Sequence, residues 1–261
     1  FPLDLTEVIG AEKGFRVDAG GFDKAMEEQR ARSHWKGSGQ HAVSEIYKEI
    51  ADEAPDTRFV GYESAESASV IRAIVKDGVR VQRAGRGDVV EIVANVTPFY
   101  AESGGQVGDA GRIETEGGAV EIADCVKPAG GVFVHRGRVT KGSIRAGEQA
   151  RLVIDRPRRT RISAHHSATH LLHHGLRKVL GEHVRQAGSW VGPDRLRFDY
   201  SHFEKPSADQ LAAVEREANR LALKNAPTQT ELTSPDHARK AGAIAFFGEK
   251  YGDVARMVRI G

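Results

Sequence analysis

The 261-residue sequence contains one cysteine, Cys125, and only two tryptophans and two methionines. A lone thiol excludes an internal disulfide framework and suits a reducing compartment. No apolar run approaches the roughly 20 residues that cross a bilayer, and "FPLDLTEVIG" lacks a basic segment ahead of an apolar one. The expectation is a soluble, cytoplasmic chain that meets no membrane. A strong net charge is missing too: 38 Lys and Arg against 36 Asp and Glu leave +2. Any nucleic-acid contact must therefore come from local clusters rather than a global field.

What is present divides into stretches of different character. Residues 1–33 read as helical: Leu5, Val8 and Ile9 share a face, Gly14 can end the first helix, and an Asp cap opens "DAGGFDKAMEEQRAR". "SHWKGSGQ", 33–40, reads as a linker. From about Phe59 to Ile154, β-branched runs alternate with glycine turns, and Asp77-Gly78 is a hairpin signal; together they predict a small β-barrel. After "DRPRRTR" the pattern turns helical again, from about Ser163 to Leu180, with Ala168, Leu171, Leu172 and Leu176 as an apolar stripe. A second helix is expected over 207–225. Strands at "RLRFDYSHF", "TQTELT", "AIAFF" and "ARMVRI", with a short helix at "SPDHARKAG", complete an α+β layout. The expected division is a helical segment with linker over 1–40, a barrel over 41–158 and an α+β core over 159–261. Beginning without Met and stopping inside a strand-like run, the chain reads as a piece of something longer.

"HHSATHLLHH", residues 165–174, places five histidines in ten positions. Residues four apart share a helix face, so His166 and His170 can hold one ion through neutral nitrogens, and His170 with His174 repeats the spacing. At most two or three of the rings converge. An HExxH protease would need Glu where Ser167 stands, so a metallopeptidase is opposed. The pair leaves two readings open, a metal site or polar imidazoles on a half-exposed helix. Thr169 adjoins the pair, and Gln186 and Ser189 follow, so polar groups for a small ligand lie close in sequence. For Thr169 the competing reading is a hydroxyl bonded to the carbonyl one turn back.

"SGGQVGDAG", 103–111, contains Gly104, Gly105, Gly108 and Gly111 with Gln106 and Asp109 between them. Without a terminal Lys-Ser/Thr it is no P-loop. Either it makes tight barrel turns or it walls a pocket in the neighbouring domain. Arg156, Arg158, Arg159 and Arg161 precede the histidine helix and are candidates for phosphate contact. Cys125 reads as a buried strand residue, since no His is placed with it.

"FYAESGGQVGDAG", "HHSATHLLHHGLRKVLGEHVRQAGSWVGPDRLRFDYSHFE" and "GAIAFFGEKYGDVARMV" resemble the editing region of bacterial alanyl-tRNA synthetases, and "FPLDLTEVIGAEKGFRVDAGGFDKAMEEQRAR" resembles the segment leading into it. Nearly the whole chain is covered, least well over 112–155. The resemblance implies an editing core of the threonyl/alanyl-tRNA synthetase second-additional-domain type. It implies zinc held by His166 and His170, completed by a CxxxH motif expected shortly after "ARMVRIG". It assigns catalytic roles to Thr169 and Gln186, and it makes Gly104, Gly105, Gln106, Gly108, Asp109, Arg158, Arg159 and Arg161 candidates for holding the substrate or tRNA. The implied reaction is hydrolysis of serine or glycine misattached to the acceptor end of alanine-specific tRNA. ATP and magnesium would serve only a catalytic domain upstream of Phe1, and DNA is not an expected partner. Two departures stand out: His165 where the family has Asn, and Trp190 where a smaller aliphatic residue is usual. The alternatives are a tRNA-binding module without activity and a freestanding editing protein, the latter disfavoured by the N-terminal segment.

Overall fold

A computed structural model describes residues 14, 17–22, 24, 45–53, 56–243 and 254–260. The chain divides into two compact units, 1–44 and 45–261. In the first, Gly14 sits in a turn at φ 74° and helical residues follow Asp18, whose side chain accepts a bond from the Gly21 N–H at 2.9 Å. This is the expected acidic cap. The rest of the helical segment, the linker 33–40 and most of "AIAFF" lie outside the described residues.

The second unit opens with a helix the sequence reading did not anticipate, α1 (Glu45–Glu53), which buries Tyr47 and Ile50. The Tyr47 hydroxyl donates to the Glu91 carboxylate, and burial with that contact pushes the phenol well above its usual pKa. Ten strands follow: β1 (Arg58–Phe59), β2 (Glu66–Lys76), β3 (Val79–Val81), β4 (Arg83–Gly85), β5 (Val89–Ala94), β6 (Val96–Thr97), β7 (Gly111–Thr115), β8 (Gly118–Ala129), β9 (Val132–Arg145) and β10 (Gln149–Ile154). The order β10-β7-β8-β9-β5-β2, closed by antiparallel pairing of β10 with β2, is a six-stranded barrel. The expected hairpin forms at Asp77 and Gly78, both at positive φ (52° and 77°), the backbone of a type I′ turn.

Alternation along the strands, reset in β2 by a bulge between Ile71 and Ala73, turns Ile71, Ile74, Ile92, Ile113, Ile122 and Leu152 inward, each at most 1% exposed. Cys125 is among them in the core, and burial pushes its thiol well above its ordinary pKa, as fits an inert strand residue. His135 is also wholly buried. Its Nδ1 lies 2.9 Å from the Ile92 carbonyl, which only accepts, so Nδ1 carries the proton. Nε2, 2.7 Å from Thr97 Oγ1, then accepts, and that hydroxyl oxygen in turn receives the Phe99 N–H at 3.1 Å.

β10 runs straight into α2 (Arg156–Leu180), which begins at Arg156 rather than at Ser163. The start signal was present. Asp155 is the N-cap, accepting from the Arg158 N–H at 2.9 Å, and Pro157 occupies the first turn. The arginine run hides it, because the first buried side chain of the helix is Ile162. Asp155→Ala is expected to cost about 1 kcal/mol, measured as a shift in urea unfolding. The inward face also differs from the expected stripe. Ile162, Thr169, His173, Leu176 and Leu180 are buried, whereas Ala168, Leu171 and Leu172 are only partly so.

Beyond α2 come the hairpin β11 (Arg185–Val191) and β12 (Leu196–Ser201), α3 (Ala208–Leu223), β13 (Thr228–Thr233), α4 (Pro235–Lys240) and β14 (Ala255–Ile260), which pairs antiparallel with β13. Ser207 forms a complete capping box with Gln210 at the start of α3, as the sequence predicts. β11 went unread because Ala187 and Gly188 weaken its strand signature. A second apolar core of Leu176, Leu180, Val184 and Val214, flanked by Phe198 and Tyr200, unites α2, α3 and the hairpin. The expected α+β layout with a barrel is therefore observed. No described helix is long and apolar enough to cross a membrane.

Candidate functional site

Gly104 and Gly105 form the tip of a two-residue turn at φ 57° and 82°, closed by reciprocal bonds between Ser103 and Gln106 at 3.2 and 2.9 Å. A side chain would be strained at either position. The turn packs against β11: a Cβ on Gly105 would lie 2.5 Å from the Ser189 carbonyl oxygen. The contact is hydrogen-bonded on both sides, with Val191 N–H to Gly105 O at 2.8 Å and Val107 N–H to Val191 O at 3.1 Å. Gly108 presses on the barrel, where an added Cβ would meet Cys125 O at 2.2 Å. The glycine-rich stretch thus makes tight turns, as one reading expects, and it packs on β11 as well as on the barrel.

Helix α2 fastens the loop through its first turns. The Asp109 carboxylate, 1% exposed, accepts from Arg159 Nε at 2.9 and 3.0 Å and from Arg159 Nη2, and its Oδ2 also receives the Tyr100 N–H at 2.8 Å. Arg159 also donates from Nη1 to the Gly61 carbonyl at 3.0 Å and from Nη2 to the Pro98 carbonyl at 3.2 Å. Arg158 donates to Gly108 O at 2.8 Å. The arginine cluster is therefore split. Arg158 and Arg159 turn inward to hold the loop, while Arg156 and Arg161 are exposed.

The histidine motif meets the same loop. His166 and His170 stand one turn apart with ring centroids 5.2 Å from each other. His166 Nδ1 lies 2.6 Å from Oε1 of Gln106, a residue only 7% exposed. Both rings face outward on the helix, yet the surrounding protein displaces enough water to lower their pKa values. The Arg256 charge adds to this for His166, and the neighbouring His166 and His173 for His170. Neutral imidazoles four residues apart, one with a ring nitrogen already engaged by an amide, suit two metal ligands. Among the described residues no group of three or more His, Cys, Asp or Glu side chains is gathered to hold an ion.

The other histidines divide. His165 Nδ1 lies 2.7 Å from the Gly192 carbonyl, tying α2 to the end of β11, a role an Asn amide can also fill. His173 is 4% exposed on the inner face, with a tilted contact to Phe198 at 5.1 Å. His174 is exposed beside Glu217 at 3.8 Å. Thr169 is buried, and its hydroxyl donates to His165 O at 2.8 Å, the bond of an ordinary interior helical threonine. It lies on the inner side of α2, away from the exposed His pair. Gln186 is half-buried in β11, paired with Tyr200 next to a bulge, on a strand that packs against α2. Trp190 lies in the same strand with the Arg195 guanidinium 5.5 Å from its ring. A cavity of about 330 Å³ opens beside His170, with His174, Lys224 and Ile260 also in its wall; of the expected site residues only His170 lines it. Sequence reading had no signal for Arg256, which reaches this region from β14 and also lies 4.4 Å from the Tyr62 ring.

The family model for class II (A) tRNA synthetases matches residues 1–158. The chain belongs to this family. The resemblance to alanyl-tRNA synthetases holds across its whole length: the chain is 53% identical to the alanine–tRNA ligase of Anaeromyxobacter dehalogenans, 49% to that of Mesorhizobium japonicum and 51% to that of Paracoccus denitrificans. Each alignment covers 100% of this chain but only 29% or 30% of the relative. This synthetase-family chain thus spans about three-tenths of the length of the ligases it matches.

Proposed function

We propose that this chain is the editing region of an alanine–tRNA ligase, and that it hydrolyses serine or glycine misattached to the terminal adenosine of tRNA(Ala). The observation that carries the reading is the junction of Gln106 with His166, through which the glycine-rich loop of the barrel meets the HxxxH helix. Two separate stretches that resemble the editing region come together at one place. The parent ligase would join alanine to tRNA with ATP and magnesium in a catalytic domain outside this chain. Under this reading, residues 1–40 belong to the tRNA-recognition part, 41–158 to the barrel and 159–261 to an editing core of the second-additional-domain type.

Editing has a physical rationale. An alanine pocket cannot strongly exclude the smaller glycine, and an apolar pocket discriminates poorly against one added hydroxyl. A second site with polar partners holds serine and rejects alanine, which would leave those partners without bonds. Gln186 and Thr169 are assigned this recognition and the placement of water. Because the Thr169 hydroxyl already donates to His165 O, it can serve a ligand only as an acceptor. His166 and His170 would hold zinc, which supplies Lewis acidity to orient the ester or acidify a water. Arg161 and Arg156, exposed at the start of α2, would meet phosphate, while Arg158, Arg159, Asp109, Gly104, Gly105 and Gly108 shape the loop.

The test is deacylation of seryl-tRNA(Ala) and alanyl-tRNA(Ala) by the full-length protein. Gln186→Ala and Thr169→Val are each expected to change the ratio of seryl to alanyl hydrolysis about tenfold, the worth of one buried hydrogen bond. Ratios equal to the parent's would remove these residues from recognition. Binding of tRNA without any acceleration of hydrolysis would reduce the chain to an RNA-binding module.

A further inference from the structure

We infer that Gln106 is a positioning residue: its Oε1 accepts the Nδ1 proton of His166 and so holds that ring as the tautomer whose Nε2 carries a bare lone pair. The inference rests on the reading of His166 and His170 as metal ligands. A neutral imidazole has one N–H and one acceptor nitrogen, and only the latter binds a metal. Free to choose, the ring populates both forms. In the structure His166 Nδ1 is engaged at 2.6 Å by an amide oxygen, a group that accepts and cannot donate. The proton is thereby kept on Nδ1, and Nε2, on the far edge of the ring, is left as the donor atom for an ion.

The surroundings make Gln106 suited to this and restrict it to little else. Its residue is 7% exposed, so water competes weakly for the amide. Its backbone is fixed by the Ser103 turn and by a parallel bridge to Val191. The loop on either side is pinned by Gly105 against Ser189, by Arg158 on Gly108 O and by Arg159 on Asp109. An amide also orients the ring without adding charge. The barrel therefore contributes to the site on α2 through a side chain that need not touch the ion. Metal-bound histidines commonly have their other ring nitrogen fixed in this way, and removing the partner typically weakens metal affinity about 10- to 100-fold.

Two measurements test the inference. In the 261-residue chain labelled with ¹⁵N at histidine, long-range ¹H–¹⁵N spectra without metal should show His166 with a protonated Nδ1 and a deprotonated Nε2. Gln106→Leu should shift it towards the opposite tautomer, and Gln106→Glu should restore the parent pattern. In the full-length protein, chelator competition should show zinc bound about 10- to 100-fold more weakly after Gln106→Leu, with at least partial recovery in Gln106→Glu. Unchanged tautomer and unchanged zinc affinity in a folded Gln106→Leu variant would overturn the proposal, as would a parent spectrum with the proton on Nε2. The two readings separate cleanly. If the parent binds no zinc but keeps the Gln106-dependent tautomer, the metal assignment falls and the positioning contact stands. If zinc binds equally well with and without Gln106, the positioning role falls and the metal assignment stands.

Discussion

Replacing Asp109 with Ala is expected to destabilise the chain by about 3–5 kcal/mol, the usual cost of removing one partner from a buried ion pair. Asp109 and Arg159 have side chains only 2% and 17% exposed, so neither can fall back on water. Removing the carboxylate strands a guanidinium against two carbonyls and leaves the Tyr100 N–H without its acceptor. The measurement is urea unfolding of parent and variant, and a loss below about 1 kcal/mol would mean that the pair is solvated in solution. Because Coulomb attraction and desolvation largely cancel for the intact pair, Asp109→Ala combined with Arg159→Met should cost clearly less than the two single changes added together. The loop carrying Gln106 is seated by this pair, so Asp109→Ala should also loosen the contact to His166.

The second large effect concerns acid. Burial pushes the His135 pKa down from 6.5 to about 4, opposed only by the bond to the Ile92 carbonyl. The folded barrel therefore refuses a proton that the unfolded chain accepts over this interval. Stability is complete above about pH 6.5, declines as the pH falls, and has lost on the order of 3 kcal/mol from this group by pH 4. The hydrogen bonds explain why. Protonation would put an N–H on Nε2, facing the hydroxyl hydrogen of Thr97, whose oxygen already receives the Phe99 N–H. Stability measured from pH 7 to pH 4 should fall less steeply in His135→Gln than in the parent. Equal slopes, or a His135 ring that titrates near pH 6.5 by NMR, would refute the assignment.

The barrel was readable from the sequence because its signals are local. β-branched alternation marked β2, β5, β8, β9 and β10, and the Asp77-Gly78 turn needs only two residues to declare itself. The Ser207 cap of α3 and the strand "TQTELT" were legible on the same grounds. What escaped were features decided by distant partners. The first turns of α2 carry Arg156, Arg158, Arg159 and Arg161, cations at the positive end of a helix, which local rules disfavour. They are tolerated because Asp109, fifty positions away, neutralises one and Gly108 O receives another. In the same way the five histidines could be sorted by spacing but not by surroundings. Spacing puts His166 and His170 on one face, and their ring centroids lie 5.2 Å apart, whereas the burial of His173 depends on Phe198 and Val184, which helical periodicity cannot see.

The absence of any spacer between β10 and α2 has a final consequence. Ile154 is bonded to Ala65 O and Asp155 to Ala110 O, and the helix begins with the next residue. The azimuth of the histidine pair is thus inherited from the barrel wall, as the bearing of a crank is set by its shaft. One residue inserted at this joint would turn the helix by about 100° and carry His166 out of reach of Gln106 with every local motif intact. Length at Asp155 is therefore as much a part of the site as any side chain in it.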